Sequence, residues 1–241
     1  MDQFLQNQSA IVTGGTRGIG RAIARALLQA GASVAICGRN PERVSGAVDQ
    51  LRAETGSKVL GKAADVRDEG EVAGLFSMVE ESFGGVDILV NSAGVGVFRP
   101  VAQLTLEDWK QTIETNLTGV FLCCQQALRR FRGRAGGFIV NLSSLAGRNA
   151  FAGGAAYNAS KFALNGFSEA LMLDHRYDNV RVSTIMPGSV KTEFSGPSSG
   201  PGDDWKIAPE DVAETVLAVL RMPARTLISA VEIRPAKPIR R

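Results

Sequence analysis

The sequence predicts an α/β protein: a parallel sheet covered by helices on both faces. Three observations predict it. Short apolar runs alternate with longer helix-like segments from one end of the chain to the other. The short runs are rich in β-branched residues, as strands buried on both faces are. The chain has 241 residues and is 44% hydrophobic, enough for one sizeable core, so a single domain spanning 1–241 is expected.

In order, the strand candidates are 10–12, 34–36, 59–60, 88–90, 138–140, 180–185 and 227–233, and helical patterns fall near 18–30, 41–54, 68–83, 105–132, 155–178 and 209–221. The first helix carries Ile19, Ile23, Ala26, Leu27 and Ala30 on one face. The fourth opens at Thr105 with Asp108 three residues later, a capping-box arrangement. The last opens with Pro209, which suits a first helical turn. The stretch SGPSSGPGDD at 195–204 is too rich in Gly, Pro and Ser for regular structure. It follows the sixth strand, and ligands of open α/β sheets sit beyond the carboxyl ends of strands, so 193–206 is expected to be a substrate loop or lid rather than a plain surface loop.

The formal net charge is +3, from 27 basic and 24 acidic residues, with no long basic block, so no nucleic-acid partner is expected. The local excess Arg129, Arg130, Arg132 and Arg134 reads as a helix end complementing its dipole. Cys37, Cys123 and Cys124 imply no disulfide framework and fit reduced thiols. The start MDQFLQNQSAIV has no signal-peptide pattern, and no apolar run approaches the ~20 residues of a membrane span. A soluble cytoplasmic protein without membrane contact is expected. His175 is the only histidine, so no metal site is expected.

The first strand runs into Thr13-Gly14-Gly15-Thr16-Arg17-Gly18-Ile19-Gly20, and a helix follows at once. A glycine turn alone is also a structural device, but this strand–turn–helix context is what a dinucleotide site needs. Gly14 permits the tight turn, Gly18 lets backbone approach a pyrophosphate at the helix N-terminus, and Gly20 allows helix to pack on strand. The second strand ends in Cys37-Gly38-Arg39-Asn40, with no acid to bond a ribose 2′-hydroxyl. Arg39 can clamp a 2′-phosphate, and Arg17 offers a second cation. Two cations and no carboxylate point to NADP(H).

With these motifs in order, the chain resembles the short-chain dehydrogenase/reductase family in its common form of about 250 residues, over nearly its whole length. Besides the glycine turn, Asp65-Val66 resembles the family's adenine contact, and Asn91-Ser92-Ala93-Gly94 resembles its N-N-A-G turn. Asn116, Ser144, Tyr157 with Lys161 (Y-x-x-x-K), and Pro187-Gly188 complete the set. The resemblance implies a Rossmann-like doubly wound domain with a seven-stranded sheet in the order 3-2-1-4-5-6-7. It implies that Asn91, Ala93, Gly94, Pro187, Gly188, Val190 and Thr192 contact the cofactor, the last two at its carboxamide. It further implies that Lys161 bonds the nicotinamide ribose and that Asn116 anchors a water relay to Lys161.

The chemistry follows from the residues as well. Tyr157 and Lys161 are four apart and share a helix face. A phenol, with a reference pKa near ~10, is a weak acid/base until a neighbouring ammonium lowers that value. Tyr157 can then exchange a proton with a carbonyl or alcohol oxygen. Ser143 and Ser144 are both available to hold the substrate oxygen; the resemblance selects Ser144 to steady the developing oxyanion and leaves Ser143 as a strand residue or a support behind it.

The sequence departs from the family at Ser92, a small polar replacement, and at the C-terminus. There prolines and cations, Val231 to Arg241, stand where family tetramers often close with a glycine-rich tail. A homo-oligomer, dimer or tetramer, is implied; the tail argues against a tetramer, and a dimer would use the fourth and fifth helical segments, with Phe121, Leu122, Phe162 and Leu171. The expected function is NADPH-dependent reduction of a small-molecule carbonyl, or oxidation of the alcohol. The alternatives are a 3-oxoacyl-carrier-protein reductase and a non-catalytic NADP(H) sensor.

Overall fold

The structure, a computed structural model, describes residues 3–195 and 203–238. Its sheet has seven parallel strands in the order β3-β2-β1-β4-β5-β6-β7, as the sequence predicts. They are β1 (Ser9–Thr13), β2 (Ser33–Gly38), β3 (Val59–Ala63), β4 (Ile88–Asn91), β5 (Gly137–Leu142), β6 (Val180–Pro187) and β7 (Ala230–Ile233). The helices are α1 (Gly18–Gln29), α2 (Pro41–Thr55), α3 (Glu69–Phe83), α4 (Leu106–Ile113), α5 (Gly119–Phe131), α6 (Ala155–His175) and α7 (Pro209–Leu220).

Strand alternation sends side chains to two cores. In β1, Ala10 and Val12 join α1, α2 and α7 on one face, and Ile11 joins α3, α5 and α6 on the other. All three are fully buried, so the strand reads as a continuous apolar run. Each large aliphatic side chain so buried contributes roughly 1.5–3 kcal/mol, which anchors the strand ends where the site is built. Register is set across the centre of the sheet by Ala10 opposite Ile88 and Val34 on either side, and by Ile88 opposite Phe138.

Three helices begin with side-chain caps. Asn40 accepts from Arg43 N–H, Asp68 from Glu71 N–H, and Thr105 and Asp108 cap each other's backbone. The helical pattern at 105–132 is one path with a five-residue π-type turn, Glu114–Thr118, inserted between α4 and α5. β7 is shorter than expected because the preceding residues are held by other means: the Ser183 hydroxyl donates to the Ile228 carbonyl at 2.6 Å.

The arginine cluster ties helix ends. Arg134 donates to Gly84 O and Asp87, and Arg130 meets Gln126 and Glu80. His175 bonds Asp178 at 2.9 Å. The three cysteines are buried and unpaired. Among the described residues no helix is long and apolar enough to cross a membrane, and no His/Cys/Asp/Glu cluster could hold a metal. Of the residues expected on an oligomer face, Phe121 and Phe162 are exposed, but Leu171 is buried in the core and is corrected accordingly.

Candidate active site

Strand order reverses between β1 and β4, and their following helices leave to opposite faces of the sheet. That switch point is where an open α/β sheet leaves a crevice. A cleft of about 1310 Å³ opens there, at the carboxyl ends of the strands. Thr13 Oγ1 accepts from the N–H groups of Ser92 and Ala93, both at 3.1 Å, and so locks the turn after β4 to the turn after β1. Gly14 has φ +66°, and a Cβ there would stand 2.8 Å from Ala93 Cα. A Cβ on Gly20 would fall against the Gly14 carbonyl.

Thr16, Arg17, Gly18, Ile19 and Gly20 line the cleft beside Ala93 and Gly94. Unlike α2, α3 and α4, helix α1 has no side-chain cap and no acid in its first turn. Its unpartnered N–H groups and positive dipole end face the cleft, which suits an anionic diphosphate. Arg17 crosses the cleft mouth to Glu193 at 3.0 Å.

Arg39, Asp65 and Val66 lie outside the cleft's lining, on the β2–β3 side of the glycine turn. Gly38 packs on Thr16, so Arg39 follows directly beside that turn. Asp65 is held by Arg67, with contacts of 2.7–3.1 Å; the guanidinium bonds keep its carboxyl below the usual range, against a smaller opposing effect of burial. Arg39 acts on that carboxylate only through space. Val66 is buried against Gly119. Asn91 is also buried beneath the cleft, where its Nδ2 donates to Asn141 Oδ1 at 2.9 Å; its side chain supports the sheet instead of lining the site.

At the other end, Ser143, Ser144, Tyr157 and Lys161 line one wall. The Ser144 hydroxyl accepts from Ala146 N–H at 3.1 Å and reaches the Pro187 carbonyl at 3.4 Å. Ser143 continues the sheet through its N–H to Ile185 O. Lys161 is buried and donates to Leu142 O at 2.8 Å, and burial pushes its ammonium down to about 8. The expectation that Lys161 depresses the phenol is corrected here. Burial pushes the Tyr157 phenol up, the Ser144 hydroxyl pulls it back only in part, and the ammonium, 5.8 Å from the ring centroid, gives one of its N–H donors to Leu142 O.

Asn116 sits buried in the π-type turn, with both ends of its amide bonded. It donates to Val95 O and Ser160 Oγ and accepts from Val95 N–H, at 2.8–3.0 Å. Its side chain fixes the loop after β4 to α6. An asparagine inside an apolar helical pattern was the one signal of that wide turn.

Pro187, Gly188, Val190 and Thr192 line the cleft. The base of the following loop is closed by Lys191 N–H to Ile207 O and Ile207 N–H to Ser189 O, at 2.9 and 3.0 Å. Of the expected lid 193–206, Glu193, Phe194, Trp205 and Lys206 line the cleft, and 196–202 lie outside the described residues. Phe98 and Phe151 also line it and were not singled out by the sequence; nothing in their spacing marks them. Asn158 holds the Phe151 loop by donating to Ala146 O at 2.7 Å.

The profile of the short chain dehydrogenase family matches residues 8–200. A 3alpha-hydroxysteroid dehydrogenase of Mediterraneibacter gnavus is 37% identical over 195 residues, 80% of this chain and 78% of that protein. An uncharacterized oxidoreductase of Staphylococcus aureus is 32% identical, over 96% of this chain and 98% of its own. Among solved structures, a metagenomic short-chain oxidoreductase in complex with NADP has a TM-score of 0.85 at 34% identity, covering 97% of this chain and 99% of that one. A short chain dehydrogenase from Burkholderia cenocepacia in complex with NADP has a TM-score of 0.87 at 33% identity, covering 96% and 98%. A doubly wound sheet with a glycine turn at its switch point is a Rossmann-type oxidoreductase architecture. The chain belongs to the short-chain dehydrogenase family.

Proposed function

We propose that this chain is an NADP(H)-dependent oxidoreductase that interconverts a carbonyl and an alcohol, with Tyr157 as the general acid/base. The carrying observation is that one cleft joins the uncapped end of α1 to a wall bearing Ser144, Tyr157 and Lys161. The α1 N-terminus holds the diphosphate, and Arg39, with Arg17, holds a 2′-phosphate. Asp65-Val66 lies toward the adenine, and Pro187, Gly188, Val190 and Thr192 hold the carboxamide. The two neighbours solved with NADP support that choice of nucleotide.

When bound, the nicotinamide supplies or accepts the hydride. Lys161 holds the ribose beside it, Ser144 fixes the substrate oxygen, and Tyr157 gives that oxygen a proton as it gains charge, or takes one in oxidation. Asn116 acts as a positioning residue through Val95 and Ser160. The 193–206 segment works as the substrate loop of one domain, 1–241.

Two alternatives fare worse. A non-catalytic sensor has no use for Ser144, Tyr157 and Lys161 together on one wall. A carrier-protein reductase would offer the Arg129–Arg134 cluster to its acidic partner, but Arg130 and Arg134 are engaged with Glu80 and Asp87. We further propose a soluble, cytoplasmic homodimer using the face around Phe121 and Phe162.

Tyr157→Phe tests the reading. Turnover of NADPH with a carbonyl substrate should fall by about 10²–10⁴-fold, while NADPH affinity, read by fluorescence, stays near wild type. Comparable turnover in that variant would end the mechanism.

A further inference from the structure

Resting on the function proposed above, we infer that the substrate is an uncharged ketone or secondary alcohol carrying a ring system next to the reacting carbon, held by Phe98, Phe151 and Phe194.

These three rings come from the loops after β4, β5 and β6; Phe98 and Phe194 stand against the Tyr157 ring, and Phe151 packs on Phe98. Phe98 stands 5.5 Å from the Tyr157 ring at 75°, and Phe194 stands 5.7 Å from it at 55°. Phe98 also meets Phe151 at 5.8 Å and Phe194 at 6.4 Å. None of these pairs is stacked in parallel, so the rings are set at angles around the phenol, as the walls of a box are. Each Phe remains 39–47% exposed. Three large apolar rings lining the cleft, with that much surface still in contact with water, form a binding face whose burial is left for a ligand to complete.

The box is built into the backbone. A Cβ on Gly96 would stand 2.7 Å from both Phe194 and Phe98, and one on Gly154 would stand 2.6 Å from Phe151. Asn158 pins the Phe151 loop through its bond to Ala146 O and a longer one with Phe151 N–H at 3.4 Å. The rings therefore occupy space reserved for them.

Charge points the same way. Among the described residues, the cations along this rim already have carboxylate partners: Lys191 with Asp204, Lys206 with Asp203, and Arg234 with Glu232. An anionic substrate would have to displace one of them, whereas an uncharged ring displaces none. Edge and tilted contacts with three phenylalanines reward a flat or fused ring far more than a short alkyl chain.

The test is a set of NADPH-dependent reductions with 1-tetralone, acetone and pyruvate. The expected kcat/KM for 1-tetralone exceeds those of acetone and pyruvate by about 10²-fold or more. Phe98→Leu and Phe194→Leu keep apolar bulk and remove a ring, and each should cut the tetralone-to-acetone ratio roughly tenfold, chiefly through KM for tetralone. NADPH affinity checks that each variant is folded. Equal use of the three carbonyls, a preference for pyruvate, or an unchanged ratio in both variants overturns this inference and leaves the oxidoreductase reading standing. Tight NADPH binding with turnover of no carbonyl overturns both.

Discussion

At the glycine turn the cleft is walled by backbone: the first turn of α1, the Ser92–Gly94 turn, and glycines whose missing side chains let the chain approach itself. At the other end it is walled by side chains: Tyr157, with Phe98 and Phe194 against its ring and Phe151 behind Phe98. Backbone N–H groups at a helix end recognise one thing well, a fixed anionic group. Aromatic side chains on loops recognise shape, and they can change without disturbing the sheet. The first end belongs to a ligand part that never varies and the second to one that does.

The largest effect should come from the edge of the backbone end, where a side chain takes over. Arg39→Asp removes a charge-assisted partner of the 2′-phosphate and adds repulsion, so the NADPH-to-NADH preference in kcat/KM should fall by on the order of 10²-fold. An unchanged ratio would show that Arg39 does not read the nucleotide. Gly20→Ala comes next. Its methyl group would press on the Gly14 carbonyl, a backbone atom that cannot rotate away. Stability should drop by about 1–3 kcal/mol in urea unfolding, and NADPH affinity should weaken with it. A variant as stable as wild type would mean the turn has slack that the close packing denies.

The same contrast explains how much was legible in advance. The backbone end announces itself because its requirements fall on eight consecutive residues, Thr13 to Gly20, directly after a strand, and the sheet follows from runs such as Ile11–Val12 and Ile88–Val90. Tyr157 and Lys161 are legible for the same reason: one helical turn separates them. The aromatic box draws on positions 98, 151 and 194, which only the fold brings together, so no spacing in the chain marks it. Burial was equally hidden. A Y-x-x-x-K spacing places the ammonium on the phenol's helix face, yet the folded protein turns it to Leu142 O and buries the phenol enough to raise it.

That electrostatic difference gives a pH test of the Tyr157 end. The Lys161 ammonium is lost as pH rises through about 8, while Tyr157 keeps its proton beyond that point. The kcat/KM for reduction should be level below pH 8 and fall above it as Lys161 ceases to be a cationic donor. The stability sign is opposite. Lys161 is pulled from 10.5 to about 8 by burial, so above pH 8 the unfolded chain binds the extra proton and this group adds stability as pH rises. Cys37, Cys123 and Cys124, all raised by burial above 9.0, act the other way as the unfolded thiols ionise around pH 9, so the gain from Lys161 is offset there. Between pH 8 and 9 activity should decline while Tm does not. A parallel decline would assign the lost activity to unfolding.

The smallest expected effect lies where the two ends meet. Arg17, beside the first turn of α1, is bonded across the cleft mouth to Glu193, next to Phe194. A phosphate group arriving at Arg17 must compete with that carboxylate. The pair is 58% and 59% exposed, so water and salt screen it and its worth is roughly 0–1 kcal/mol. Glu193→Gln should therefore tighten NADPH binding only about two- to threefold, read by fluorescence titration at low ionic strength, with the gain fading by roughly 0.5 M salt. Weaker binding in the variant would reverse the reading: Glu193 would then serve the cofactor by holding Arg17 and Phe194 in place, and the two ends of the cleft would be coupled through that bond.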